Sequence, residues 1–97
     1  MSKKEIVIVD YGLGNLFSIQ RAINEVGAKS LISCKSEQIK SAEKLILPGV
    51  GAFEDGMRGL YEKGLVSTIC EFANSGKPVL GICLGMQLLL SFSEEHG

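Results

Sequence analysis

The chain has a single histidine, His96, and three cysteines, Cys34, Cys70 and Cys83, in 97 residues. An odd cysteine count without C-x-x-C spacing suggests neither a disulfide framework nor a zinc site, and it fits a reducing, cytoplasmic setting. Excess charge is equally scarce. Ten Lys and Arg against eleven Asp and Glu leave a net charge of −1, which offers no basic footprint for nucleic acid. No apolar run approaches the roughly 20 residues that a membrane span requires. Met1-Ser2-Lys3-Lys4 is positively charged, but the apolar run that follows, Ile6–Val9, soon meets Asp10. It predicts a strand rather than a signal peptide. Repeats, low-complexity tracts and linkers are missing too, so the chain predicts one unit without an internal boundary.

What is present alternates between strand-like and helix-like patterns. Ile6–Val9 is a continuous apolar run, as expected of a parallel strand covered on both faces. Leu16, Ile19, Ile23 and Val26 then recur at helical spacing, with Asn15 a good N-cap and Gly27 a good residue beyond the end. A second strand is expected near Lys29–Ser33, a short helix capped by Ser36 and running to about Ala42, and a third strand over Lys44–Leu47. A glycine-interrupted helical segment near Phe53–Tyr61 precedes a better helix near Leu65–Ser75. That helix carries Leu65, Val66, Ile69, Phe72 and Ala73 on one apolar face. Gly76 should end it, Lys77 should add a favourable charge near that end, and Pro78 should open a fourth strand. The last helix, Leu84–Phe92, is apolar almost all round and expects burial on every side.

Cys70, between Ile69 and Glu71 and near Phe72, reads as a small core residue. Cys34 has no evident partner in the pattern. The alternation as a whole predicts an α/β fold: a doubly wound, mostly parallel sheet with helices on both faces and right-handed crossovers. Four strands and an all-round apolar helix are not a finished version of that fold. One sheet edge and part of the last helix are therefore expected to lack cover.

Chemistry concentrates in two glycine-bearing junctions. In Gly81-Ile82-Cys83-Leu84-Gly85, a cysteine stands between glycines where an apolar strand runs into a helix. This is the spacing of the Gly-x-Ser-x-Gly nucleophile elbow, with a thiol in place of the hydroxyl. N–H groups and the dipole at a helix start favour the thiolate. A lone buried cysteine is more often structural, but the elbow spacing and the second junction favour a nucleophile. That second junction is Pro48-Gly49-Val50-Gly51, at the end of the third strand. Alone it would pass for an ordinary βα turn. Paired with an elbow, a Gly-rich loop is well suited to aim backbone N–H groups at a developing oxyanion.

A nucleotide-binding reading of Gly12-Leu13-Gly14 fails on two positions. The third glycine of the dinucleotide fingerprint is replaced by Phe17, and Ser33-Cys34-Lys35 supplies no acidic residue at the end of the second strand. A G-x-x-x-x-G-K-[ST] loop is also missing.

Together, Pro48-Gly49-Val50-Gly51 and Gly81-Ile82-Cys83-Leu84-Gly85-Met86-Gln87 resemble the class I, triad-type glutamine amidotransferases. Asp10-Tyr11-Gly12-Leu13-Gly14-Asn15 is similar to the opening of the glutaminase subunits that serve histidine biosynthesis. The resemblance spans essentially the whole chain and implies a flavodoxin-like half of a glutaminase domain. It implies hydrolysis of L-glutamine to glutamate and ammonia through a thioester on Cys83, without a cofactor or metal. The ammonia would pass to a barrel-type synthase (cyclase) subunit in a heterodimer.

The roles it implies fall on few residues. Cys83 is the nucleophile, the Leu84 N–H one oxyanion donor, and the Val50 or Gly51 N–H the other. Gly49, Gly51 and Gln87 would bind the substrate. Asn15 is either a partner contact or simply a helix cap. One departure stands out: the family completes its cysteine with a His and a Glu near the carboxyl end of a chain about twice this long. His96, in Ser93-Glu94-Glu95-His96-Gly97, does not fit that His-x-Glu pattern and reads as a solvated residue at a helix end. Residues 1–97 are thus expected to be the amino-terminal part of one amidotransferase domain, open to alkylation at Cys83 but inactive alone. The alternatives are a paralogous subunit feeding ammonia to a surface sugar that becomes an amidine, or a non-catalytic interaction module of the same fold.

Overall fold

The computed structural model of the protein describes residues 6–82 and 85–90. Four strands, β1 (Ile6–Val9), β2 (Ser30–Ser33), β3 (Lys44–Leu47) and β4 (Val79–Gly81), form one parallel sheet in the order β2-β1-β3-β4. Helices α1 (Leu16–Glu25), α2 (Ser36–Lys40), α3 (Phe53–Glu62) and α4 (Val66–Asn74) connect them, and α5 (85–90) follows β4. This is the expected doubly wound α/β arrangement. None of the described helices is long and apolar enough to cross a membrane.

The short strands are apolar runs because each has two faces to bury. Val7, Val9, Leu45 and Leu47 turn to one face, where they join Ile39 of α2, Leu60 of α3, and Leu65, Ile69 and Phe72 around α4 in the main core. The other face is covered unevenly. Ile8 lies in register with Ile32 and Ile46, and Ile46 with Leu80. Along that row exposure rises from 0% at Ile8 and 9% at Ile46 to 57% at Leu80, on the edge strand.

Helix α1 lies beside β2, where the Gln20 side-chain amide donates to the Ser30 carbonyl at 3.3 Å. Its stripe Leu16, Ile19 and Ile23 is half-buried, whereas Val26 is exposed. Val26 is the C-cap, so it has left the helical period that would have carried it onto the stripe.

Three local expectations are corrected by contacts distant in sequence. Ser36 begins α2 rather than capping it; Lys35 is the N-cap and offers no side-chain bond. The Ser33 hydroxyl instead accepts the Lys35 N–H at 3.0 Å, and Ser36 pairs with buried Thr68 of α4 at 2.8 Å. That pairing lets Thr68 enter the stripe Leu65, Ile69 and Phe72, while Ala73 stays exposed. Lys77 serves the end of α2, not of α4. Its ammonium donates to the Lys40 and Ala42 carbonyls at 3.1 and 2.9 Å and lies 5.1 Å from the Phe72 ring centre. The reversal at Gly76, with φ +90°, brings it there.

Helix α5 lacks cover on part of its surface, as expected of an unfinished sheet. Leu88 enters the core, but Met86 and Leu90 are exposed, as is Leu80 on the neighbouring edge strand. An apolar helix beside an open sheet edge buries only the side that faces the sheet.

Candidate active site

Strand order fixes where a site can form. The chain leaves β1 towards β2 on one side and returns to β3 on the other, so the loops after β1 and β3 diverge. Open α/β sheets bind ligands in the crevice at such a switch point, at the carboxyl ends of the strands. Here a cavity of about 270 Å³ opens there, lined by Gly14, Asn15, Ile19, Pro48, Gly49, Val50 and Ile82, among others. Its described lining carries no charged side chain. A second hollow of about 380 Å³ shares Gly14, Asn15 and Val50 and adds Leu16 and Phe17.

The β1 loop is built from tight turns. The Asp10 carboxylate accepts the Gly12 N–H at 3.3 Å, and Asn15 caps α1 by accepting the Ser18 N–H at 3.4 Å. Gly14, at φ +112°, has a structural reason to lack a side chain. A Cβ there would stand 3.1 Å from the Pro48 Cβ and 3.3 Å from the Gly49 nitrogen. The glycine turn thus brings the two loops together. Phe17, at the third position of the dinucleotide fingerprint, is 73% exposed, so the close helix–strand packing of that fingerprint is not formed there.

The β3 loop divides into a held root and an open tip. At the root, the Leu47 carbonyl accepts the Ile82 N–H at 3.0 Å, and the Tyr11 hydroxyl donates to the Pro48 carbonyl. Pro48 and Gly49 are buried. Val50, in contrast, is 59% exposed, and Gly51 adopts φ +110° with open space where a Cβ would be. Among the described residues, none of the N–H groups of Gly49, Val50 and Gly51 has a hydrogen-bond acceptor. Tyr11 is itself buried, which pushes its hydroxyl pKa up to about 12.

The glycines at either end of the Gly81–Gly85 junction also mark close approach. A Cβ on Gly81 would lie 2.7 Å from the Met86 backbone, and one on Gly85 only 1.8 Å from the Leu47 carbonyl oxygen. Gly85, the first described residue of α5, therefore lies against the end of β3, and its N–H donates to the Ile82 carbonyl at 2.9 Å.

Of the residues singled out in the sequence, Asn15, Gly49 and Val50 meet at the cavity, with Gly51 next along the loop. Gln87 is exposed on α5. Cys83 and Leu84 lie outside the described residues, as does His96. Among the described residues, no cluster of three His, Cys, Asp or Glu side chains could hold a metal. Sequence reasoning passed over Tyr11. Its signal was a hydroxyl-bearing aromatic directly after a buried strand and within the Asp-Tyr-Gly turn.

Fold and site together define a parallel α/β protein with a glycine-rich loop at one switch point, beside the stretch of chain that leads from β4 to α5. The fold is similar to the solved structure of a protein from Thermoplasma acidophilum described as belonging to GMP synthase. The TM-score is 0.70 at 21% identity, covering 95% of this chain and 46% of that one. Residues 7–96 match the family described as glutamine amidotransferase class-I, and the chain belongs to that family. It is 54% identical over 92 residues to imidazole glycerol phosphate synthase subunit HisH of Sulfurimonas denitrificans, which covers 95% of this chain and 44% of that protein. The subunit HisH of Methanosarcina mazei is 58% identical, with 95% of this chain and 45% of that protein covered. The chain thus spans less than half the length of these curated relatives.

Proposed function

We propose that residues 1–97 form the amino-terminal part of one glutaminase domain and carry its nucleophile and oxyanion-binding parts. The supporting observation is the Val50–Gly51 segment, whose N–H groups have no acceptor among the described residues. It stands at the switch point beside the junction that leads through Cys83 into α5. Likeness to the subunit HisH proteins supports the substrate and the destination of the product.

In this reading the Cys83 thiolate attacks the side-chain amide carbon of L-glutamine. The carbonyl oxygen becomes an oxyanion, held by the Leu84 N–H and by the N–H of Val50 or Gly51. Collapse breaks the carbon–nitrogen bond, ammonia leaves after protonation, and a glutamyl thioester remains on Cys83. Water then cleaves the thioester, giving glutamate and the free thiol. Gly49, Gly51 and Gln87 bind the substrate. Gln87 lies one helical turn beyond Cys83, a spacing that places both on one side of a helix.

The base that moves the protons is a His oriented by a Glu, contributed from outside these 97 residues. Asn15, exposed at the cavity mouth, contacts a barrel-type synthase (cyclase) subunit in a cytoplasmic heterodimer. That subunit uses the ammonia to form imidazole glycerol phosphate in histidine biosynthesis. The Val50–Gly51 peptide is turned away at rest and swings its N–H inward when the partner holds its acceptor, so ammonia is released only when it can be used.

The test is ammonia release by the full-length protein, with the ammonia acceptor and the synthase subunit both present. Cys83→Ala is expected to abolish it. Undiminished release by that variant would remove Cys83 from the chemistry.

A further inference from the structure

We propose that Tyr11 is a positioning residue for the oxyanion loop: its hydroxyl holds the Pro48 carbonyl and so confines peptide rotation to Val50 and Gly51. The inference rests on the glutaminase reading and deepens it. Proline has a nearly fixed φ, and the Gly49 N–H has no acceptor among the described residues, so the Pro48 carbonyl is the bonded handle by which the Pro48–Gly49 peptide is oriented. Tyr11 takes that handle from 37 residues away.

The grip is rigid on both sides. The Tyr11 residue is only 2% exposed. Helix α3 lies so close that a Cβ on Gly59 would stand 2.5 Å from the Tyr11 carbonyl oxygen and 3.3 Å from its ring. Gly14 backs the same peptide from the β1 loop, and the Ile82 N–H fixes the preceding carbonyl of Leu47. Beyond Gly49 these restraints stop. Any rotation that brings an N–H into the site therefore starts from a fixed point, and the donor arrives at a defined place.

Removing the hydroxyl leaves the Pro48 carbonyl buried and unpaired, a state that proteins relieve by turning the peptide towards another donor or water. The fixed point would be lost, and the donor with it in part. Loss of a whole oxyanion donor costs about 10²–10³-fold in kcat. A misplaced one is expected to cost about 10-fold or more on the same scale.

The experiment compares wild type and Tyr11→Phe as full-length protein bound to its synthase subunit with acceptor present. Turnover is expressed per Cys83 alkylated by iodoacetamide, counted by peptide mapping because Cys34 is also a free, exposed thiol; alkylation reads the Cys83 thiol without building an oxyanion. The variant is expected to lose about 10-fold in kcat, with glutamine KM and the alkylation rate unchanged and the Val50 and Gly51 amide resonances shifted. A merely structural role would lower the alkylatable fraction but leave kcat per such site intact, and that result would overturn the proposal. Unshifted Val50 and Gly51 amides in the variant would overturn it as well. If the wild type releases no ammonia from glutamine, the glutaminase reading itself falls. Equal kcat in a wild type that does turn over sinks the Tyr11 role alone.

Discussion

The root and the tip of the β3 loop are neighbours in sequence and opposites in physical character. Leu47, Pro48 and Gly49 are buried, and the Leu47 and Pro48 carbonyls are bound by donors from β4's end and from the β1 loop. One residue further, Val50 is 59% exposed, and neither it nor Gly51 donates its N–H among the described residues. Buried carbonyls left unpaired are costly, so the root is as fixed as the sheet. Exposed N–H groups beside a glycine are not, and they remain available to a ligand. The root should therefore govern whether the domain folds and where the loop points. The tip should govern catalysis, with a smaller effect on stability than the root.

Gly85→Ala should break the root and give the largest effect. Its Cβ would stand 1.8 Å from the Leu47 carbonyl oxygen, backbone against backbone, so α5 or the end of β3 must move. A loss of more than about 3 kcal/mol is expected from overpacking of this severity, read as a lower urea midpoint of the full-length protein. Turnover and Cys83 alkylation should fall together. Gly51→Ala should do the reverse. A Cβ there meets open space, so only the φ of +110° is strained, at about 1–3 kcal/mol. Glutamine turnover is nonetheless expected to drop by about 10²-fold, as when an oxyanion donor is displaced. Equal damage to stability by both variants would erase the distinction between root and tip.

Much of this arrangement could be read from the chain, and the part that could not has a common cause. β1 and β3 announce themselves as continuous apolar runs, and α1 carries its cap and its glycine stop at the expected places. These signals are local. The Tyr11–Pro48 bond, the Ser36–Thr68 pair and the Lys77 contacts with the end of α2 each join residues more than 30 apart. No window of sequence contains both partners. Helix α5 is a case where composition and architecture had to be read together: an all-round apolar helix beside an edge strand buries Leu88 and leaves Met86 and Leu90 exposed, as the unfinished sheet predicts. The Gly81–Gly85 junction was legible because close approach demands a missing side chain, and the Pro48–Gly51 junction because a positive φ, here at Gly51, favours glycine. Their spacing suggested a nucleophile and an oxyanion loop, and only likeness to a family suggested the substrate.

Two smaller effects sharpen the comparison. Gln87 lies on α5, beyond the root, and is exposed. Gln87→Leu should raise the glutamine KM by about 10-fold, the scale of one hydrogen bond of about 1.5 kcal/mol. It should leave the rate of Cys83 alkylation unchanged, and an unaltered KM would remove Gln87 from the binding site. Tyr11 gives the root a signature in the alkaline limb of stability. Burial holds the Tyr11 pKa at about 12, against 10.0 for a free tyrosine. Between those values the unfolded chain has released the proton and the folded one has not, so stability should fall as pH rises. Below pH 10 this group gives no pH dependence. Urea midpoints measured against pH should show this decline in wild type and a smaller one in Tyr11→Phe. Parallel curves would mean that Tyr11 is not the group responsible.

The most direct measurement is isotope-edited NMR of the Val50, Gly51 and Leu47 amides in the full-length protein, with the synthase subunit empty and then loaded with its acceptor. The account predicts that the Val50 and Gly51 signals move on loading while Leu47, paired in the sheet at the root, stays in place. Unchanged Val50 and Gly51 signals under conditions where ammonia release is fully activated would contradict it.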